Sequence, residues 1–478
     1  MDEQRSNDNR PVNSRRKPRS KMQIFKEAYL PVIIAAAALL LIIIFIIGSI
    51  TRAVQKRNAE IASSLAASSS AEALQQQLEE EAQKLINEAE PMAQQYDYPG
   101  AIAHLQSFSG TIEEFPAIAN KLAEYEIAQS KMVAWNDPGQ VLNLSFQLLV
   151  AEAERTFNSP TYASLFNRNF ITTEEFSSIL SQLYENGYIL VSMDDFISTE
   201  TAADGSVTYA AKTLYLPEGK KPLMLTQTNV NYNIYLIDSD GDRFADKDGG
   251  GFATRMILDE NGEITCEMIS STGETVTGDF DLVPILNDFV DAHPDFSYQG
   301  AKATLALTGY NGLFGYRTNA DAKDYFGVDT YNKALADAAE IADVLRNDGY
   351  ELACYTYANI GYGESGTAEI EADLALWKEE VVPILGEVDT LVFAQNSDID
   401  DGTAAYYGDK IALLQRYGFA KFIGFCDEGS SWVSLNDGYL RQGRLMVTGS
   451  TVAHNSEWFT GIFDTANLLD PSRGDVPA

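Results

Sequence analysis

The chain has 478 residues, with 69 Asp and Glu against 34 Lys and Arg, and a net charge of −35. This length exceeds what one hydrophobic core usually holds, so we expect more than one structural unit. A surface this acidic repels a phosphate backbone, which excludes nucleic acid as a partner.

The first predicted element is a membrane span over residues 28–51. This segment reads AYLPVIIAAAALLLIIIFIIGSIT, carries no charge and is longer than the ~20 apolar residues that cross a bilayer as a helix. Basic residues crowd residues 1–27, so we expect a cytoplasmic N-terminal tail and an extracytoplasmic remainder. A cleaved signal peptide is the alternative, but its apolar core would be only ~7–15 residues long. The sequence therefore favours a single-pass protein of the cell membrane.

Residues 52–135 are rich in Ala, Glu, Gln and Leu and are predicted to form a helical stalk or collar. Within them, EAEPMAQQYDYPGAIAHLQSF and PAIANKLAEYEIA are typical of one tetratricopeptide-like hairpin plus a third helix. One such unit is too short to form a superhelical binding groove. A collar that recruits another envelope protein is nevertheless one of the functional alternatives.

Residues 136–478 alternate apolar strands with amphipathic helices. In ITTEEFSSILSQLYENGYILVS, Thr172 and Glu175 predict a capping box, Gly187 ends the helix, and a strand follows. Later strands are predicted in KKPLMLTQTNV, AKATLALTG, ELACYTYAN, DTLVFAQN and FAKFIGFCD. Repeated strand-then-helix units predict parallel strands with helices outside them, in either a barrel or an open doubly wound sheet. An insertion at about residues 231–300 includes a hairpin with Asn261 and Gly262 at its turn.

The strand ends resemble those of the polysaccharide deacetylase family. Residues 225–230 read LTQTNV where that family has Leu-Thr-Phe-Asp-Asp-Gly, and residues 354–359 read CYTYAN where it has Ser-His-Thr-x-x-His. The resemblance implies an α/β fold, a distorted (β/α) barrel, preceded here by the transmembrane helix and the small all-α region. It also implies metal-dependent removal of acetyl groups from envelope sugars.

The same resemblance implies that the catalytic groups are lost. Thr228 stands at the position of the general base, Asn229 at that of the acidic ligand, and Tyr355 and Asn359 at those of the two imidazoles. A phenol with a pKa near ~10 is a poor metal ligand at neutral pH, and a hydroxyl does not act as a base there. We therefore expect no zinc- or cobalt-type site and a catalytically degenerate protein that binds or scaffolds envelope glycans.

Two alternatives remain open from the sequence. An active deacetylase or other hydrolase would need a non-standard site, for which Asp427, Glu428 and His454 are the first candidates. The second alternative is the scaffold described above, in which the helical collar recruits an envelope protein.

An acidic loop, DSDGDRFADKD, is a candidate calcium site. Asp238, Asp240, Asp242 and Asp246 fall at loop positions 1, 3, 5 and 9 of a calcium-binding pattern, while position 6 is Arg243 instead of Gly and the twelfth-position Glu is missing. An acidic loop without an ion is the competing interpretation.

Aromatic and sulfur residues supply the last candidates. Trp432, Tyr357 and Tyr232 are predicted to stack on sugar rings, with core packing as the competing role. The three cysteines are Cys266, Cys354 and Cys426. They form no metal-binding pair, and a single bridge between Cys354 and Cys426 remains open.

Overall fold

The computed structural model describes residues 51–52, 54–57, 70–203, 207–400, 405–426 and 431–478. The chain divides into two compact units, Met1–Glu81 and Ala82–Ala478. Within the described ranges, no helix combines the length and apolar character that a membrane crossing requires. The predicted span at 28–51 lies outside the described residues except for Thr51.

Sixteen strands are found in the described residues. They are β1 Val133–Trp135, β2 Leu142–Phe146, β3 Tyr188–Leu190, β4 Ile197–Thr201, β5 Val207–Ala211, β6 Leu214–Leu216, β7 Lys221–Thr228, β8 Arg255–Leu258, β9 Ile264–Ile269, β10 Thr275–Gly278, β11 Ala303–Leu307, β12 Glu351–Cys354, β13 Thr390–Val392, β14 Lys421–Phe425, β15 Val433–Asn436 and β16 Tyr439–Met446.

Helices separate most of these strands. Those between residues 70 and 454 are Ser70–Gln94, Tyr98–Gln106, Pro116–Ser130, Ala153–Phe157, Ala163–Asn169, Thr173–Glu185, Met193–Phe196, Ile234–Ile237, Leu282–Ala292, Ala322–Phe326, Val328–Asn347, Thr367–Leu376, Val382–Leu385, Asp409–Arg416 and Gly449–His454. A π-helical turn, Trp377–Val381, joins Thr367–Leu376 to Val382–Leu385.

Seven of the strands form a closed parallel barrel. Their order is β11, β12, β13, β14, β16, β2 and β7, and β7 pairs again with β11 to complete the ring. Every pairing within this ring is parallel. The α/β barrel that the resemblance implies is therefore confirmed, and all seven carboxyl ends meet at one edge.

Alternate residues of the barrel strands face opposite sides. One set packs against the helices in the larger core and includes Leu144, Leu225 and Leu305. The other set lines the interior and mixes apolar residues such as Ala306 and Ile423 with polar ones. This alternation follows from the two-residue period of a strand, and it decides which side chains reach the barrel mouth.

The helix Thr173–Glu185 begins as its sequence predicts. The Thr172 hydroxyl accepts a hydrogen bond from the Glu175 amide, and the Glu175 carboxylate accepts one from the Thr172 amide. The helix then leads into β3, which pairs with β7 outside the seven-stranded ring. The segment is therefore a support for the barrel wall rather than part of it.

The insertion after β7 contains a three-stranded antiparallel sheet, β8 to β10. The hairpin between β8 and β9 turns at residues 259–263, where Gly262 adopts a φ of +83°. A left-handed residue at this position favours glycine, as the sequence predicts.

Within the unit Ala82–Ala478, the segment after the helix Ser70–Gln94 contacts the loop that precedes β11. The Tyr96 hydroxyl donates to the Asp295 carbonyl at 2.8 Å, and the Tyr96 and Tyr298 rings stack at 6.3 Å. The Gln299 amide donates to the Gln95 carbonyl at 2.8 Å. These contacts fix the end of the helix Ser70–Gln94 against the loop that precedes β11.

Candidate functional site

The carboxyl edge of the barrel concentrates unusual backbone conformations. Asn229, Thr356, Asn359, Gln395 and Asn396 have φ values of +62°, +59°, +55°, +57° and +52°. Such conformations in residues other than glycine cost on the order of 1–3 kcal/mol each and tend to cluster at functional sites. The loops that follow β7, β12 and β13 thus mark this edge as the candidate site.

A cavity of about 350 Å³ opens at the same edge, and we call it the mouth cavity. Its lining includes six carboxamides, three aliphatic hydroxyls and four aromatic rings. The lining residues are Gln147, Arg168, Asn169, Asn229, Tyr235, Tyr355, Asn359, Gln395, Asn396, Phe425, Met446, Thr448, Ser450, Thr451 and Trp458. Among the described residues, this lining contains no carboxylate, imidazole or thiol.

The structure brings together the four positions singled out at the strand ends. Asn229, Tyr355 and Asn359 line the mouth cavity. Thr228 lies directly before Asn229, is fully buried, and donates its hydroxyl to the Phe146 carbonyl at 3.2 Å. Three of the four side chains therefore face one space, and the fourth is held in the wall beside it.

Asn359 has an unsatisfied group at this site. Its Oδ1 atom is buried and accepts no hydrogen bond from any described residue. A buried acceptor without a donor costs about 1–3 kcal/mol, and a hydroxyl or amide of a bound molecule would satisfy it.

The loop after β12 is held by a buried carboxylate. Asp373 accepts hydrogen bonds from the backbone amides of Tyr357 and Ala358, at 2.7 and 2.8 Å, and from the Tyr362 hydroxyl at 2.6 Å. Burial raises the pKa of Asp373, while these three donors oppose the shift. Asp373 thus fixes the backbone that carries Tyr355 and Asn359.

A polar column fills the barrel below the mouth cavity. Asn143 donates to Gln442 at 3.0 Å, and Thr226 donates to Asn143 at 2.9 Å. Above them Arg444 is fully buried and donates to the carbonyls of Ile423 and Phe393 at 3.1 and 3.0 Å. The barrel interior is therefore hydrogen-bonded rather than purely apolar.

Arg444 stands out electrostatically. Burial lowers its pKa, and it forms no ion pair with a described carboxylate. Its guanidinium carbon lies 6.0 Å from the centroid of the Tyr355 ring, which lines the mouth cavity.

The aromatic residues chosen from the sequence do not line the cavity. Tyr232 is completely buried and donates to Asp281 at 2.6 Å. Tyr357 is buried and donates to Glu380 at 2.6 Å. Trp432 lies beside Gly443 of β16 and 5.4 Å from the Arg441 guanidinium. Packing and hydrogen bonding therefore hold the rings of Tyr232 and Tyr357, while sugar stacking by the partly exposed Trp432 stays a prediction.

Of the other catalytic candidates, the structure describes only His454. His454 ends the helix Gly449–His454 and is hydrogen-bonded to the Val476 carbonyl at 2.9 Å, outside the mouth cavity. Asp427 and Glu428 lie outside the described residues. Cys266, Cys354 and Cys426 are buried, and no disulfide joins Cys354 to Cys426.

The acidic loop brings three of its four aspartates together. Oxygen atoms of Asp238, Asp240 and Asp246 lie within 4.8 Å of one another, without Asp242. Arg243 at the sixth position has a φ of +73°, the conformation for which the calcium-loop pattern uses glycine. The carboxylates accept hydrogen bonds from their own loop, such as the Ser239 amide to Asp246 at 2.8 Å. Burial alone would raise the pKa of Asp246, but these hydrogen bonds together lower it.

Sequence reasoning missed Arg168, Tyr235 and Trp458. Tyr235 and Trp458 belong to short helical turns, and Arg168 to the helix Ala163–Asn169. No motif marks these three residues. The sequence gives a weak signal only for another part of the lining, because the polar run TGST follows the strand-like GRLMV, as expected where a barrel strand reaches its rim.

Comparisons with known proteins give one distant match to report. No family model matches the chain, and no curated protein matches it. Among solved structures, the chain is similar to the Streptococcus pyogenes deacetylase PplD in complex with acetate. The two share 11% identity with a TM-score of 0.33, over 71% of this chain and 100% of that chain. A similarity this low carries no argument about activity.

Proposed function

We propose that the mouth cavity binds a glycan of the cell envelope and does not hydrolyse it. In this proposal, residues 28–51 anchor the chain in the membrane and the barrel lies outside the cytoplasm. The protein is then a polysaccharide-deacetylase-like barrel that has kept a saccharide cavity and lost its metal and base.

The lining of the mouth cavity is the observation that carries this proposal. Carboxamides donate and accept hydrogen bonds at once, which suits the hydroxyls and acetamido groups of a sugar. The Trp458 ring offers an apolar face for a pyranose ring.

The same lining argues against hydrolysis. A catalytic metal needs about three protein ligands of carboxylate, imidazole or thiolate type, and a general base needs a titratable group. Asn229, Tyr355 and Asn359 offer two amides and a phenol at the positions where the resemblance implies those ligands. The described part of the cavity thus supports binding through hydrogen bonds alone.

The test is titration of the full chain with N-acetylated chitooligosaccharides and with peptidoglycan fragments. We expect saturable binding that weakens about tenfold in Asn359→Ala, because removing one partner of a buried hydrogen bond costs about 1–2 kcal/mol. Asn332→Ala, at an exposed position in the helix Val328–Asn347, is the matched control and should bind normally.

Acetate release is measured in the same samples with zinc or cobalt added. The proposal expects none above the protein-free rate. Acetate release together with stoichiometric metal would contradict the proposal and favour the active-deacetylase alternative. An absence of any glycan binding would also contradict the proposal.

A further inference from the structure

The two arginines nearest the mouth cavity have no acidic partner. Arg168 lines the cavity, and Arg444 lies beneath it in the barrel interior. Both belong to a chain with 69 acidic residues. Arg168 is exposed to solvent and Arg444 donates to neutral carbonyls, so neither charge is neutralised by an ion pair with a described carboxylate.

Arg168 is the clearer case. Between residues 82 and 478 there are nine other arginines, and each makes an ion pair, a hydrogen bond or a ring contact. These are Arg155, Arg243, Arg255, Arg317, Arg346, Arg416, Arg441, Arg444 and Arg473. Arg168 makes none with the described residues, although its neighbours Phe166 and Phe170 are buried and fix the helix end that carries it.

Arg444 reinforces the charge from below. It is fully buried, its Nε atom has no acceptor among the described residues, and two of its other four N–H donors are held by backbone carbonyls. Along β16, Met446 lines the cavity and Arg444 is the preceding residue on the same face. The guanidinium therefore lies one layer beneath the cavity floor, where low polarity screens its field less than water would.

The local charge is opposite in sign to the charge of the whole chain. No described residue of the cavity lining is acidic, and the screening length in physiological salt is only ~8 Å. Exposed acidic groups elsewhere on the surface are largely screened at the cavity. The buried Asp398 acts electrostatically on Arg444, but Asp398 forms an ion pair with Arg441. A ligand group with negative charge is thus favoured at this one place.

We infer that the glycan bound in the mouth cavity carries an oxyanion, a carboxylate or a phosphate ester, that pairs with Arg168 above the buried Arg444. This inference rests on the proposed function, because it names the class of sugar for the same cavity. Guanidinium groups pair with either oxyanion through two parallel hydrogen bonds. The nearby carboxamide and hydroxyl groups of Asn169 and Ser450 supply further donors.

The experiment compares ligands that share one skeleton. The full chain is titrated with chitotetraose whose 6-hydroxyls are methylated, carboxymethylated or phosphorylated, so that only the charge and its source change. We expect at least one charged ligand to bind about tenfold or more tightly than the methylated one, since a hydrogen bond to a charged group is worth that much. The preferred derivative identifies carboxylate or phosphate as the source.

Variants separate Arg168 from the rest of the protein. Arg168→Gln should abolish the preference for the charged ligand over the methylated one, and Arg168→Lys should retain part of that preference. Arg416→Gln, which removes an exposed guanidinium in the helix Asp409–Arg416, is the control and should keep the full preference.

Each outcome decides between the two proposals. Equal binding of charged and methylated ligands, or a preference that survives Arg168→Gln, overturns the oxyanion inference while glycan binding stands. If no chitotetraose derivative binds at all, both proposals fail.

Discussion

At the scale of single residues, the mouth cavity is lined mainly by amide, hydroxyl and aromatic side chains. Asn229, Tyr355 and Asn359 share one space, and they offer two amides and a phenol instead of the carboxylate and imidazole ligands of a metal site. One carboxylate and two imidazoles introduced at these three positions would form a three-ligand metal set. The cavity therefore gives a direct prediction.

We predict that the triple variant Asn229→Asp, Tyr355→His, Asn359→His gains a metal site. It should bind about one zinc or cobalt ion per chain, as measured by elemental analysis and by the visible spectrum of cobalt. The native chain treated in the same way should retain almost none. If the triple variant also retains none, the three positions do not converge as a ligand set.

A second residue prediction concerns Asp373. The two carboxylate oxygens of Asp373 accept hydrogen bonds from three donors, and Asp373→Asn replaces one of these oxygens with an NH2 group, which cannot accept. At least one hydrogen bond is then lost, so the variant should lower the free energy of unfolding by ~1–3 kcal/mol. Denaturant titration measures this, with the exposed Asp343→Asn as the control. An equal stability of both variants would show that Asp373 does not hold the loop after β12.

The sequence identifies some of these residues and misses others for a physical reason. Asn229, Tyr355 and Asn359 follow predicted strands, and parallel strands bring their carboxyl ends together. Arg168 and Trp458 reach the cavity from helical segments whose direction depends on tertiary packing. Tyr232 and Tyr357 follow strands too, but their rings turn to Asp281 and Glu380 in the core.

At the scale of elements, a buried ion pair joins the helix Thr173–Glu185 to the segment 470–473. Arg473 donates to Glu175 at 2.7 and 2.5 Å and to the Asn167 carbonyl at 3.0 Å. Both side chains of the pair are almost fully buried. The sequence predicts the capping role of Glu175, but nothing in it identifies a partner almost three hundred positions away.

Breaking this pair should be costly. We predict that Arg473→Met lowers the free energy of unfolding by ~3–5 kcal/mol, because it leaves the Glu175 charge buried without its partner. The double variant Glu175→Gln, Arg473→Met should lose less than the two single variants added together. Lys333→Ala, in an exposed pair with Asp337, should cost under ~0.5 kcal/mol and serves as the control.

The acidic loop gives a second prediction at this scale. We propose that Asp238, Asp240 and Asp246 hold a structural calcium ion, for which extracellular affinities of ~10⁻⁴–10⁻³ M suffice. Millimolar Ca²⁺ should then raise the melting temperature, and Asp246→Asn should abolish the increase. Asp259→Asn, in the turn between β8 and β9, should leave the increase in melting temperature unchanged. No increase in the native chain would mean that the loop is held by its own hydrogen bonds alone.

At the scale of the whole molecule, net charge and local charge oppose each other. With a net charge of −35, the folded chain repels itself, and added salt weakens that repulsion. We predict that NaCl raised from ~10 to ~150 mM increases the melting temperature of the free protein, because the screening length falls from ~30 to ~8 Å.

The same salt titration should weaken the binding of an oxyanion ligand. Over one salt series, the melting temperature should therefore rise while the affinity for the oxyanion ligand falls. Parallel changes would show that the charge of the whole surface, and not the arginines at the mouth cavity, governs binding.

Strand order has a consequence for how the molecule assembles. β2 comes first among the barrel strands along the chain, and one of its two neighbours, β16, comes last. The ring therefore stays open, with two unpaired edges, until the region around residue 446 has been synthesised. During biogenesis the nascent chain must be kept from pairing those edges with other chains, so we expect chaperone dependence to end only when β16 docks.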